Sequence, residues 1–275
     1  MLSLNNKSSF KNILGILFSI SLLLGACGGS PAPVPTAGAG EGEAPAPPIL
    51  APTLESDGAG LCSSDYFPVA VGATWTYSGT GMTGDFIWTT TITEVSESSF
   101  TMTNQFDELV TTQQWSCTVE GLAALQYGGG PEATISATGV TGTFETTDTS
   151  GVSFPVHLAS GDTWEQSFTI HGDMELAEGL TASTDGSVTQ SFAAIGIEPV
   201  TVPAGPFDAM RIEGTVTFDL TLNMGEGLTA PMNFSSVTTN WWVAGVGWVK
   251  SDSSATIEGG EAISAITELQ SFSIP

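Results

Sequence analysis

The sequence predicts an all-β fold: a single large, curved antiparallel sheet or half-barrel, with at most one or two short helices. Three observations predict it. Between residues 61 and 275 the chain is rich in Thr, Ser, Val, Ile and aromatic residues, with Gly and Pro as punctuation, which is the composition of strands and turns. Apolar and polar residues alternate along several segments. No long window has the 3.6-residue period of an amphipathic helix.

The clearest strand runs from Met210 to Leu222. Every second residue of this segment is apolar or glycine, Phe218 among them, and the residues between are charged or threonine. Trp164 and Phe168 belong to a second alternating segment. One buried face and one hydrated face are typical of antiparallel sheets.

Shorter signals complete the outline of the domain, which we expect to span residues 61 to 275 as one unit. Pro203 to Pro206 predicts a tight reversal between two strands. The segments 122–126 and 262–269 are the candidates for the short helices.

Two motifs occur twice. FPV, followed by a glycine and then by a strand that opens with tryptophan, occurs at 67–75 and again at 154–164. EGLTA occurs at 178–182 and again at 226–230, between strand-like segments, and predicts two hairpin tips of similar shape. A shared ancestral half-domain and convergent turn chemistry both explain these repeats.

Residues 1–26 are predicted to be a lipoprotein signal peptide. Lys7 and Lys11 make the N-terminus positive, and a twelve-residue, mainly apolar segment runs from Ile13 to Leu24. Crossing a hydrocarbon core of ~30 Å takes about 20 helical residues, so this segment is too short for a span. Its length suits the apolar region of a signal peptide.

The segment 24–27 reads LGAC and resembles the lipobox of bacterial lipoproteins. The resemblance implies that the Cys27 thiol carries a lipid, that the leader is cut before it, and that the new N-terminus is acylated too. Two acyl chains hold a protein stably on a membrane, whereas one binds marginally. We therefore expect an extracytoplasmic protein anchored through Cys27 to the cell membrane or the outer membrane. An ordinary secretory signal with a chance cysteine is the alternative.

Residues 27–60 are predicted to be the lipidated cysteine and a disordered linker. The segment consists mostly of Ala, Pro, Gly and small polar residues, and it has no aromatic residue and no hydrophobic period. Such a composition does not bury enough apolar surface to fold. The linker would hold the β domain off the membrane. Recognition of the linker as a Pro-rich ligand is the alternative.

The mature chain would be strongly acidic. Loss of Lys7 and Lys11 with the leader leaves 29 acidic residues against Arg211 and Lys250, a formal charge of −27. This charge repels nucleic acids and anionic headgroups, so neither is expected as a partner. Solubility or a saline habitat explains the charge, and binding of a specific cation is the alternative. The sequence has no calcium-loop motif, and no metal or other cofactor is predicted.

Cys62 and Cys117 are expected to form a disulfide, because an even pair of cysteines in an exported protein usually does. The bond would join the start of the folded region to a strand near Trp115. Closing this loop is worth about 4 kcal/mol in the chain-entropy model. A metal site is the alternative, although no histidine lies near either cysteine in the sequence.

Three segments carry a family resemblance. They read YFPVAVGATWTY at 66–77, VPAGPFDA at 202–209 and WVAGVGWVK at 242–250. Together they resemble a group of uncharacterised bacterial surface lipoproteins that look akin to the lipoprotein-carrier half-barrels. The resemblance implies a strongly curved antiparallel sheet around an apolar cleft, and it carries no catalytic residues.

A binding protein is one function class that this resemblance favours, with an apolar ligand, a lipid or an acyl chain, in the concave cleft. The residues expected to line or border the cleft are Trp164, Phe168, Met210, Phe218, Leu180, Leu228 and Trp242. Aromatic residues at strand starts also suit ordinary core packing. A structural or adhesive surface protein, which presents an acidic β domain to a protein or other partner without a small-molecule ligand, is the alternative.

An enzyme is not expected. The two histidines, His157 and His171, are not in a metal-ligand spacing, and neither Gly-x-Ser-x-Gly nor His-Glu-x-x-His occurs. A pair of carboxylates that meet in space, as in glycosidases, is the alternative that the sequence leaves open.

Replacing Cys27 by serine should abolish lipidation, because serine offers no thiol for the acyl chains. We expect the Cys27→Ser chain to stay unprocessed or to become soluble, as measured by cell fractionation and by the mass of its N-terminus. Normal processing together with retention on the membrane would contradict the anchor.

Overall fold

The computed structural model describes residues 60–81, 84–106, 109–128, 132–137, 140–175, 180–255 and 263–275. The predicted signal peptide, Cys27 and all of the linker but Gly60 lie outside the described residues. Within these ranges the chain forms fourteen β strands and one short 3-10 helix, Gly60–Cys62. Nothing in the described part of the chain is a helix of the length and hydrophobicity that a bilayer span requires.

The strands follow one another with short connections. Their bounds are β1 Thr74–Gly81, β2 Gly84–Val95, β3 Ser99–Phe106, β4 Leu109–Cys117, β5 Gly121–Ala124, β6 Glu132–Ala137, β7 Val140–Gly151, β8 Phe154–Pro155, β9 Thr163–Glu175, β10 Thr181–Val202, β11 Gly205–Asn223, β12 Thr229–Val243, β13 Gly247–Ala255 and β14 Ile263–Ser273.

All fourteen strands belong to one antiparallel sheet, in the order β6-β7-β9-β10-β11-β12-β13-β14-β1-β2-β3-β4-β5-β8. The sheet curves without closing into a barrel, so the predicted all-β fold is confirmed. The two helix candidates were wrong. Residues 121–124 form β5, which pairs with β4 and β8, and residues 263–273 form β14, which pairs with β13 and β1. Long-range backbone pairing on both sides decides their conformation.

Strand β11 shows how the sequence pattern produces the two faces of the sheet. Its inward residues, from Met210 through Phe218 to Leu222, are buried, and the residues between them are exposed except for the half-buried Arg211. The reversal before β11 consists of Pro203 and Ala204, as the turn signal predicted. Side chains alternate along a strand, so every substitution can be assigned to the inner or the outer face.

The Phe-Pro motif is a structural repeat as well as a sequence repeat. In each copy a glycine with positive φ donates its backbone N–H to a carbonyl of the second strand: Gly72 to Ile92 at 2.8 Å, and Gly161 to Ala194 at 2.7 Å. Each acceptor residue is followed by a register shift in that strand. The β1–β2 and β9–β10 pairs are therefore built alike.

The likeness continues into the following strands. Beyond the register shift, Phe100 pairs with Trp115 in the first copy, and Met210 pairs with Trp242 at the corresponding place in the second. A match that extends through a bulge to a fourth strand favours a shared ancestral half-domain over convergent turn chemistry.

The predicted disulfide is present. The sulfur atoms of Cys62 and Cys117 are bonded, and both residues are buried. Cys62 lies in the 3-10 helix and Cys117 ends β4, so the bond attaches the entry of the domain to a strand that is distant in sequence. The backbone N–H of Leu61 also donates to the Glu97 carbonyl at 3.0 Å, beside the bond.

Reducing this disulfide should lower the melting temperature. Its cysteines are separated by 55 positions, and a loop of that size is worth about 4 kcal/mol in the chain-entropy model. Thermal unfolding with and without reductant, together with thiol alkylation, measures the effect. An unchanged transition with both thiols open to alkylation would show that the bond contributes nothing.

Candidate functional site

The inner face of the curved sheet encloses a cavity of about 440 Å³. Strands β1 to β5 and β9 to β14 contribute to its lining, together with the segment that carries Phe67 and the segment around Ser153. Ligand pockets in proteins usually measure about 300–1,000 Å³, so the cavity has the size of a small-molecule site.

Small side chains create the space. On three neighbouring strands, six of the positions that face the cavity hold hydroxyl, amide or methyl groups where a filled core would need large apolar side chains. These residues are Thr238 and Asn240 on β12, Ser251 and Ser253 on β13, and Ala265 and Thr267 on β14. The opposite wall consists largely of aromatic rings.

One end of the cavity is formed by a cluster that we call the aromatic base: Phe67, Trp115, Phe154, Trp164 and Trp242. The Phe67 ring lies 5.3 Å from Trp115 and 5.6 Å from Trp242, and the Phe154 ring lies 4.6 Å from Trp242 and 6.2 Å from Trp164. Offset and tilted ring pairs at such distances add stability beyond area burial. The aromatic base thus packs the two Phe-Pro segments against Trp115 and Trp242. These two tryptophans occupy equivalent register positions in the two repeats.

Indole hydrogen bonds orient the strand-opening tryptophans. Trp75 donates to the Val246 carbonyl at 2.6 Å, and Trp164 donates to the Ser153 carbonyl at 3.0 Å. Trp115 differs, because its buried indole nitrogen has no acceptor among the described residues. Its ring is held by stacking on Phe100, with centroids 5.3 Å apart.

A second aromatic group lines the β1–β3 side of the cavity. Tyr77 lies 5.1 Å from Trp88 and 4.5 Å from Trp248, and Trp88 stacks on Phe86 and Phe106 at 5.5 and 5.4 Å. Hydrogen bonding fixes the group as well, since the Tyr77 hydroxyl donates to the Trp248 carbonyl at 3.0 Å.

A buried glutamine joins two strands near the opposite ends of the open sheet. The Gln166 amide on β9 donates to the Ala124 carbonyl of β5 at 2.7 Å, and the Ser153 hydroxyl bonds to the Gln166 side-chain oxygen. The backbone of 152–153 adds bonds to both strands: Val152 donates to Glu165 at 3.1 Å, and Ser153 donates to Leu122 at 2.8 Å. These bonds hold β9 beside β5 and bound the cavity on that side.

The lining is neutral. Its described residues are aromatic, aliphatic, amide or hydroxyl side chains and glycine. Burial raises the pKa of the Tyr77 and Tyr127 hydroxyls, so both stay protonated at physiological pH. Among the described residues, no cluster of His, Cys, Asp or Glu is arranged to hold a metal ion.

The structure brings together only some of the residues predicted for the cleft. Trp164, Phe168 and Trp242 line the cavity. Met210 and Phe218 are buried in the core beside it. Leu180 and Leu228 lie between consecutive strands, and each residue is 54% exposed.

Other lining residues were not predicted. The inward Ser and Thr residues of β13 and β14 look like surface positions in the sequence. The period of two groups every second residue of a strand on one face. The sequence alone does not say which of the two faces points inward, because that depends on the register of the strand in the sheet.

No protein-family model matches the sequence, and the comparison with curated proteins finds no match. Solved structures give low similarity. A proposed lipoprotein from Parabacteroides distasonis has 11% identity and a TM-score of 0.43, over 77% of this chain and 99% of its own. A proposed exported protein with a YmcC-like fold from Bacteroides fragilis has 13% identity and a TM-score of 0.44, over 76% and 99%.

The hypothetical lipoprotein YmcC from Escherichia coli has 8% identity and a TM-score of 0.33, over 74% of this chain and 86% of its own. At such identities, and at TM-scores below 0.5, the likeness says nothing about a ligand or an activity.

The indole bonds generate a matched prediction. Trp75→Phe removes the hydrogen bond to Val246 and leaves a buried carbonyl unpaired, whereas Trp115→Phe removes no hydrogen bond within the described chain. Both variants lose the same ring area. We expect Trp75→Phe to lower the free energy of unfolding by about 1–3 kcal/mol more than Trp115→Phe does, in urea denaturation. Equal losses, or a larger loss for Trp115→Phe, would contradict the role of this bond.

Proposed function

We propose that this protein is an exported, membrane-anchored lipoprotein whose β domain binds an apolar ligand, such as a lipid or an acyl chain, in the cavity. The cavity itself carries the proposal. It measures about 440 Å³, aromatic side chains dominate its walls, and hydroxyl and amide groups interrupt them. Sites for small molecules combine a mostly apolar lining with a few polar groups that fix orientation.

The placement of the tryptophans supports binding over simple core packing. Six of the seven tryptophans line the cavity, and the exception, Trp241, lies on the outer face and donates to Glu198 at 2.7 Å. A sheet that filled its own core would place large side chains on β12 to β14 as well. Beyond Trp242 and Trp248, the chain places Ser, Thr, Asn and Ala there.

We also propose that the role is non-catalytic. The polar groups of the cavity are carboxamides and hydroxyls, which orient a ligand through hydrogen bonds. A nucleophile activated by a base, or an acid–base pair, requires ionisable partners within hydrogen-bond reach. The acidic residues of the strands belong mainly to the outer face.

The outer face favours a second candidate function, presentation of the acidic domain to a partner at the cell surface. Across β9, β10, β11 and β12 one outward row consists of Ser167, Thr189, Thr217 and Ser235, and the next row contains Asp219 and Asn233. A solid protein could carry such a face equally well. Ligand binding in the cavity therefore distinguishes the first function from the second.

Filling the cavity should abolish binding. Ser253 faces the cavity and Ser254, the next residue of β13, does not. We expect Ser253→Phe to weaken binding of a neutral fluorescent dye such as Nile red by about tenfold or more, because the added ring occupies ligand space. Ser254→Phe makes the same chemical change on the other face and should bind as the unaltered chain does.

Fluorescence titration of both variants measures the difference, and thermal unfolding checks that both are folded. If the dye binds equally to the two folded variants, it does not occupy the cavity. If the unaltered chain binds neither dye nor lipid, the surface-presentation role becomes the better account.

A further inference from the structure

We propose that the cavity selects uncharged ligands: molecules with an apolar body and a neutral oxygen-bearing group, such as an amide, an ester or a hydroxyl. The same molecule with an ionised carboxylate or phosphate would be rejected. This inference rests on the proposed function, since it names the class of ligand that the cavity accepts. It follows from where the chain places its cations.

The cations of the chain are few enough to follow one by one. Lys7 and Lys11 lie in the predicted leader, and beyond them the sequence contains only Arg211 and Lys250. Any lysine or arginine that neutralised an anionic ligand in the mature domain would have to be one of these two.

Strand alternation directs both cations away from the cavity. Arg211 precedes Ile212 on β11, and Lys250 precedes Ser251 on β13; Ile212 and Ser251 line the cavity. Because neighbouring side chains of a strand point to opposite faces, Arg211 and Lys250 lie on the outer face. Trp241 stands between them in the cross-strand register.

Acidic partners hold both cations there. Arg211 lies 3.7 Å from the Glu198 carboxylate and 3.3 Å from that of Glu213, and Lys250 lies 2.9 Å from Glu268. The Lys250 ammonium is also 5.8 Å from the centre of the Trp241 ring, within the range of a cation–π contact. Moving either cation inward would break these contacts.

The histidines are no better placed. His171 bonds to Asp185 at 2.7 Å on the exposed face of β9 and β10, where this carboxylate raises the pKa of the imidazole. His157 is also exposed. An anion in the cavity would therefore lose its hydration without gaining an opposite charge, which is a large penalty.

Neutral hydrogen-bonding groups are available instead. Asn104 accepts from the Thr90 hydroxyl at 2.6 Å, and its amide nitrogen has no partner among the described residues. Gln190 also lines the cavity. An amide or ester oxygen could accept from these groups, so a neutral polar group is matched where a charged one is not.

The test compares two ligands that differ only in charge, a long-chain fatty acid and the primary amide of the same chain. The protein is the mature chain, residues 27 to 275 with Cys27→Ser, exported behind a cleavable secretory leader so that no acyl chain is attached. Quenching of tryptophan fluorescence reports binding, because most of the tryptophans line the cavity. We expect the amide to bind at least about tenfold more tightly at neutral pH.

A titration at high salt distinguishes two causes of a preference for the amide: the neutral lining of the cavity and the overall negative charge of the protein. At 1 M salt the Debye length falls to about 3 Å, so repulsion by distant acidic residues is screened. The preference for the amide should persist there. A preference that disappears in salt would come from the surface and would overturn the inference.

A matched pair of variants tests the same point on β4. Gln113 lines the cavity and Gln114 is exposed on the other face. Gln113→Lys should bring the affinity for the fatty acid to within about threefold of that for the amide, and Gln114→Lys, with the same net charge, should not. Thermal unfolding verifies that both are folded.

If the unaltered chain binds acid and amide equally, or the acid more tightly, the inference is overturned while ligand binding stands. If it binds neither, the proposed function itself fails. These outcomes keep the two claims apart.

Discussion

The packing of Phe67 and Phe154 against Trp242 is the interaction on which the rest of the structure depends. The two phenylalanines come from segments that open the two halves of the domain, and each lies within 5.6 Å of the same indole ring. Their own centroids are 6.3 Å apart. This cluster therefore joins the halves at one end, as a small core would, and it allows the inner face beyond it to remain partly unfilled.

The cavity follows from that arrangement. Aromatic rings on β1 to β4 face the cavity, and beyond Trp242 and Trp248 the cavity-facing side chains of β12 to β14 are small or polar. The Gln166 contact links β9 to β5 where backbone pairing does not close the sheet, and the Cys62–Cys117 bond attaches the entry of the domain to β4. Stability and an open interior thus come from different parts of the same sheet.

Much of the fold could be predicted because it depends on local patterns. The alternation from Met210 to Leu222 fixed the buried face of β11, and the cysteine count indicated the disulfide. The helix candidates failed because long-range pairing decides the conformation of short segments, as for Gly121–Ala124. In a short apolar segment, hydrophobic periodicity does not distinguish a helix from a strand.

The candidate site was harder to predict for a related reason. Trp164 and Trp242 were expected at the cleft because large aromatic residues mark buried positions, but Phe218 has the same pattern and lies in the solid core. Empty space is made by small residues such as Ser251, and their role becomes visible only when register sets them opposite the aromatic wall. Leu180 and Leu228 lie between consecutive strands and are exposed.

The most direct test of the central claim, that the interior is a ligand site, is native mass spectrometry of the exported domain purified without detergent. The account predicts a reproducible adduct of lipid mass that is released on denaturation and is uncharged at neutral pH. A bare protein mass that stays bare after incubation with neutral lipids would contradict it.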